Sequence, residues 1–237
     1  MPDTVVVALI MILAGLIQGL TGFGSALVSM PVLVQTLGLA FAAPMFAVAV
    51  LFSEIAMMAR YRHSFSVGRV WRLVAASVLL IPVGAAIGPR LPEAAILAIL
   101  GVVVAGYGAY SLTRPHMPRI ANPRWSYLFG GASGLLSGAF NTGGPPYVVY
   151  GATQGWTPSE FKANIQGAFI VNTPIVIASH ALNGRYTPQV FEVAAVATVA
   201  MLGGLLAGMW LDRFISPQGF RRAVQIALIV LGLSLIF

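Results

Sequence analysis

Charge is scarce in this chain. Asp, Glu, Lys and Arg make up 8% of its 237 residues, against 58% apolar ones, where a soluble domain carries about 25% charged residues. The shortage is uneven, and stretches 5–20, 94–112 and 193–211 hold no charged side chain. A run of about 18 or more apolar residues crosses a hydrocarbon core of roughly 30 Å, and several such runs exclude a single soluble core. Cysteine is absent, which excludes disulfides, thiolate metal sites and thiol relays. No basic side chain precedes the first apolar run, in Met1-Pro2-Asp3-Thr4, so a cleavable signal peptide is not expected. The chain shows no carboxylate pair, nucleophile motif or phosphate-binding loop, and His63, His116 and His180 lack metal-ligand spacing. Catalysis, direct use of ATP and any cofactor or metal therefore have no support in the residues. The net charge of +7 comes almost wholly from arginines set between apolar segments. That placement is the topological signal of a bacterial inner-membrane protein and not a nucleic-acid patch.

What is present is an all-α polytopic membrane pattern. Full spans are expected at 39–59, 70–88, 94–112, 163–182, 190–211 and 220–237. Two regions do not fit simple spans. Residues 5–37 are interrupted by Thr21-Gly22-Phe23-Gly24-Ser25, and 125–156 by Asn141-Thr142-Gly143-Gly144-Pro145-Pro146. As one helix the first would be about 50 Å long, too long for the bilayer. The halves 1–120 and 121–237 also repeat. A shift of 119 places Gly15, Gly19 and Gly24 on Gly134, Gly138 and Gly143, and a shift of 120 places Ala43, Val70, Gly84 and Gly88 on Ala163, Val190, Gly204 and Gly208. Repeats with interrupted helices at matching places mark secondary transporters, and the interruptions point to the binding site.

Arginine placement bears on the relation between the repeats. If each broken region crosses once, the repeats are parallel and the 13 basic residues divide 8 to 5. If each is a re-entrant hairpin, with arms of about 13 to 17 residues, the repeats are inverted. The division is then 11 to 2, with Arg90 and Arg185 outside. The positive-inside rule favours inversion, with a hairpin and three transmembrane helices in each half and both termini outside.

The 141–146 break is the strongest local signal. Pro145 and Pro146 lack amide protons, and Gly143 and Gly144 tolerate unusual dihedrals. A helix starting there aims unpaired N–H groups at the break, which suits an anion without a buried lysine or arginine. Asn141, Thr142 and Ser137 add side-chain donors. The first break offers Gln18, Thr21, Gly22, Phe23, Gly24 and Ser25 in matching positions. Gln166, Asn172 and Thr173 are polar choices inside an apolar span, and either line the path or bond neighbouring helices. Simple kinking or close helix packing by small residues is the alternative for both breaks. Glu54 carries a proton in one reading. In the blander reading, favoured here, it lies near the inner interface and pairs with an arginine, and Glu192 is read the same way. Lys162 marks either the inner mouth of the path or an interfacial anchor.

The segments Gly15-Leu-Ile-Gln-Gly-Leu-Thr-Gly-Phe-Gly-Ser, with Pro31 following, and Gly134-Leu-Leu-Ser-Gly-Ala-Phe-Asn-Thr-Gly-Gly-Pro-Pro resemble the sulfite exporter TauE/SafE family of membrane permeases. Phe23 and Ser25 stand where more glycine is usual in that family. The resemblance implies transport of sulfite, sulfonates or related sulfur compounds, often as export. The expectation is a secondary transporter of a small sulfur-containing anion in a bacterial inner membrane. A passive anion channel and a non-transporting membrane subunit are the alternatives. The expected partners are the anion and the lipid bilayer, with no nucleic acid, and a homodimer is left open.

Overall fold

The structure, a computed structural model, describes residues 4–113 and 119–212 together with positions 214, 226, 229, 230, 233 and 236. The expected span 220–237 falls outside the described residues apart from isolated positions, as do Arg114, His116, Arg213, Arg221 and Arg222. Among the described residues, regular structure is entirely helical. In order these helices are α1 (Thr4–Thr21), α2 (Ser25–Leu37), α3 (Leu39–Tyr61), α4 (Val67–Ile87), α5 (Glu93–Thr113), α6 (Arg124–Phe140), α7 (Gly144–Thr153), α8 (Pro158–Leu182) and α9 (Pro188–Leu211). Five of them, α1, α3, α4, α8 and α9, are long and apolar enough to cross a membrane. At 18 residues, α1 is about 27 Å long and exceeds the hairpin arm expected of it. The 13 residues of α2 and 10 of α7 are too few to cross. Large apolar side chains such as Leu9, Leu79, Val199 and Leu206 face outward, while Gln18, Gln166 and Asn172 are buried. That inside-out polarity suits lipid surroundings.

Both expected interruptions are real breaks. After Thr21 the chain passes through Gly22 (φ 85°) and Gly24 (φ 91°), and after Phe140 through Asn141 (φ 57°), the one described non-glycine residue with positive φ. Asparagine tolerates the left-handed region better than most residues. The shift of 119 places Gly22 on Asn141, so both halves leave the helix through a residue of positive φ. At the second break the chain doubles back. The Ser133 hydroxyl donates to the Gly143 carbonyl at 2.6 Å, and the rings of Phe129 and Tyr150 lie 5.8 Å apart. In one continuous helix residues 129 and 150 would be about 30 Å apart. At the first break Ile17 packs with Leu27 and Val28 across the turn.

The two most extensive helix pairings cross the midpoint of the chain: α1 lies on α9 and α4 on α6. Missing side chains make both close. A Cβ at Gly15 would stand 2.0 Å from the Met201 carbonyl oxygen, and one at Gly204 2.0 Å from that of Ile12. On the other side, a Cβ at Gly138 would stand 2.0 Å from the Ile81 oxygen and one at Gly84 2.2 Å from that of Leu135. Lipid supplies no hydrophobic force between helices, so such close backbone contact is what holds them. The repeat register turns the α1–α9 pair into the α6–α4 pair. Between these pairs α3 lies against α8, and the two run antiparallel: Tyr61 meets Lys162 (3.5 Å), the Ser66 amide meets Asn164 (3.0 Å) and Glu54 meets Thr173 (2.9 Å).

These contacts yield a stability test. Replacing Gly138 with Val should cost a few kcal/mol by overpacking. The detergent-purified variant should unfold several degrees below wild type. Gly203→Val, at a position with nothing within 4 Å of the new Cβ, should unfold near the wild-type temperature. Equal thermal unfolding of the two variants would show that glycine contact does not hold α4 to α6.

Candidate functional site

The two breaks converge. Together with α3 and α8 they enclose a cavity of about 50 Å³. A water needs about 10–15 Å³ by this measure, so the hollow suits a few waters or one small solute. The first break contributes Gln18, Phe23, Gly24 and Ser25, followed by Ala26 and Leu27 of α2. Ser137, Asn141, Thr142, Gly143 and Gly144 come from the second. Phe46, Val50 and Glu54 of α3 face Phe169, Asn172, Thr173 and Val176 of α8 across it.

Two helices begin at the wall of this cavity, α2 at Ser25 and α7 at Gly144, and neither start has a side-chain cap. By contrast, Thr157 caps α8 in a reciprocal arrangement with Glu160, and Thr187 caps α9. The first amides of a helix have no partner within it and carry a partial positive charge. The uncapped starts therefore offer N–H donors to whatever occupies the hollow, although in the first three residues of α7 only Gly144 has one, since Pro145 and Pro146 lack amide protons. Among the described residues no lysine or arginine lines it. Several buried polar atoms in its lining have no protein partner: Gln18 Oε1, Thr142 Oγ1, Asn172 Oδ1 and Glu54 Oε2. Buried polar groups are normally satisfied, so these four are open to an occupant.

Each loop is tied to the central helix of the other half. Gln166 Nε2 donates to the Gly22 carbonyl at 2.7 Å, and Asn141 Nδ2 to the Ala43 carbonyl at 2.8 Å. Asn172 Nδ2 donates to Ser77 Oγ and Tyr147 Oη, both at 2.8 Å, while its Oδ1 is buried without a protein partner. Of the fourteen residues expected at the site, ten meet here: Gln18, Phe23, Gly24, Ser25, Ser137, Asn141, Thr142, Gly143, Gly144 and Asn172. The remaining four stand behind the lining. Thr21 bonds the Ile17 carbonyl (2.8 Å) and the Phe23 amide (3.2 Å), shaping the turn. Gly22 sits against the stem of Lys162, and Gln166 holds Gly22. Pro145 is buried in the first turn of α7 and borders a separate apolar groove beside α5.

For Glu54 the favoured reading, an interfacial ion pair, does not hold. Expected near an interface beside an arginine, it is instead 3% exposed in the cavity wall. Its Oε1 accepts from Thr173 Oγ1 at 2.9 Å, and among the described residues no arginine pairs with it. An acidic residue inside an apolar span is costly and by default functional, and that signal was available. Thr173 both bonds a neighbouring helix and lines the cavity. Lys162 pairs with Asp212 at 3.0 Å, and Glu192 is exposed on α9. Between α8 and α9, burial pushes the Arg185 guanidinium down and the Tyr186 hydroxyl up to about 12. Among the described residues no acidic or histidine cluster has the arrangement to hold a metal ion.

Comparison with known proteins bears on what such a cavity serves. The chain is 29% identical over 230 residues to the probable sulfite/organosulfonate exporter TauE of Cupriavidus necator, covering 92% of this chain and 88% of that one. It is 30% identical over 171 residues to the probable inner membrane transporter protein TsaS of Comamonas testosteroni, covering 70% and 72%. No solved structure matches it. The apolar helices and these relatives make it a multi-pass inner-membrane protein. The family model for sulfite exporter TauE/SafE matches residues 7–235, so the chain belongs to that family of membrane transporters.

Proposed function

We propose that this protein is a secondary transporter that carries one small sulfur-containing anion, sulfite or a sulfonate, outward across the inner membrane. The observation that carries this reading is the meeting of two uncapped helix starts in one cavity that, among the described residues, no lysine or arginine lines. Main-chain dipoles supply diffuse positive charge to an oxyanion and bind it without the strong grip of a formal cation. The amides of Gly24, Ser25, Gly143 and Gly144 face the anion, and Gln18, Asn141 and Thr142 complete its shell. The relative described as a probable sulfite/organosulfonate exporter points to both substrate and direction.

Residues 1–120 and 121–237 act as two inverted repeats in this reading, each a re-entrant hairpin followed by three membrane helices. Two observations support it. The equated helices α3 and α8 run in opposite directions, and the α1–α9 and α4–α6 pairs exchange under the repeat register. Rocking of one repeat on the other then opens the cavity to each side in turn. Gly22 held by Gln166 and Asn141 held by Ala43 make each hairpin turn move with the opposite repeat.

Sulfite flux into proteoliposomes tests the site. Asn141→Ala removes a turn former, a wall donor and the tie to Ala43, and should reduce saturable flux to the protein-free level with expression intact. Flux equal to wild type would remove Asn141 from the site. Thr142→Val, which deletes an unpartnered hydroxyl beside a charged guest, should weaken sulfite binding about 10-fold or more.

Topology is separately testable, because a chain without cysteine is a clean background for labelling. Single cysteines at exposed Arg90 and Asn183 should react with a membrane-impermeant maleimide on intact cells, and one at exposed Arg62 only after permeabilisation. Labelling of 62 and 183 from the same side would overturn inversion.

A further inference from the structure

Glu54 does not fit a site built only for an anion, because a carboxylate in the wall repels the guest. Its Oε1 is held by Thr173, while Oε2 is buried and unpartnered. The elements packed on α3 offer it no counter-charge. Arg124 opens α6, and α8 carries Glu160, Lys162 and His180. Glu192 lies on α9, Arg62 and His63 follow α3, and Arg60 lies on α3 itself, while α2 has no charged residue. None of these lines the cavity. Lys162 is engaged by Asp212, and Arg62 Nε lies 3.3 Å from His63 Nε2. Among the described residues, an ionised Glu54 therefore has only the starts of α2 and α7 as positive partners, the same groups that a bound anion needs.

We infer that Glu54 is the proton carrier of this site, holding its proton while the anion is bound and able to release it only from the empty cavity, so that one proton crosses with each anion. The inference rests on the transport reading above. Two unit charges about 5 Å apart in a protein interior disfavour each other by on the order of 100-fold. A bound anion therefore keeps the proton on the carboxyl, and protonation tightens the anion by the same factor. The proton comes from water on the loading side and returns to water on the far side, with no other bond made or broken. Once protonated, Glu54 turns from a competitor into an O–H donor toward the guest. Sulfite, when doubly charged, then leaves with one net negative charge. A membrane potential negative inside still assists its exit.

The test is sulfite flux in proteoliposomes with and without an imposed pH gradient, corrected for protein-free vesicles. An acidic donor side should accelerate wild-type flux at least 10-fold. Glu54→Gln should respond less than twofold, whatever its rate without a gradient, and Glu54→Asp should regain the response. A gradient response in Glu54→Gln equal to wild type would overturn the proposal. If that variant carries nothing, sulfite binding by purified wild type decides. Its affinity should fall with rising pH more steeply than that of Glu54→Gln, and parallel profiles would overturn the proposal. Wild-type protein that moves no sulfite under any condition would instead sink the transport reading.

Discussion

A polar backbone group inside a bilayer has no water to turn to, and each one left bare costs several kcal/mol. Every other feature of the site follows from that constraint. Breaking a helix in mid-membrane is tolerable only if something else satisfies the freed groups. Here the breaks are brought together, so that each borrows partners from elsewhere in the fold. Gln166 reaches across 144 residues of sequence to the Gly22 carbonyl, and Asn141 reaches across 98 to that of Ala43. The Gly143 carbonyl takes the hydroxyl of Ser133 on its own hairpin. Of the buried side-chain oxygens left without a partner, those of Gln18, Thr142, Asn172 and Glu54 belong to the cavity wall, where the uncapped starts of α2 and α7 also lie.

Holding the breaks in register demands a frame that does not slide. Glycines supply it by letting α1 and α9, and α4 and α6, approach until main-chain carbonyls occupy the places of side chains. The same segments that carry these glycines lead straight into the breaks: Gly15 and Gly19 precede Gly22, and Gly134 and Gly138 precede Asn141. Packing and site are thus encoded in one stretch of each half. Because each such stretch packs on the fourth helix of the other half, the halves are interleaved and not docked as separate bodies.

Electrostatics gives the cavity its chemical character. Diffuse positive charge from two helix starts faces one buried carboxyl, with the basic residues kept outside the lining. A guest of negative charge satisfies the amides and conflicts with Glu54, whereas a proton on Glu54 removes the conflict. Phe46, Phe169, Val50 and Val176 complete the wall and keep the surroundings poorly polarisable, which strengthens both effects.

Much of this was legible in the chain itself. Apolar runs of membrane length are a local property, so α3, α4, α8 and α9 were readable from composition and spacing. The two breaks were readable too, because glycine and paired prolines act on their own backbone whatever surrounds them. Most of the cavity lining followed from these breaks once the halves were aligned. Glu54 did not follow, because an isolated carboxyl near an arginine-rich loop reads equally well as a surface ion pair. Only its placement opposite Thr173, away from Arg60 and Arg62, decided between the two. The supporting roles of Thr21, Gly22 and Gln166 were likewise hidden, since a turn residue and a lining residue share one sequence signature. Local chain stiffness and apolarity are written residue by residue. Which polar groups meet depends on how distant helices rotate and cross, and only close packing in three dimensions settles that.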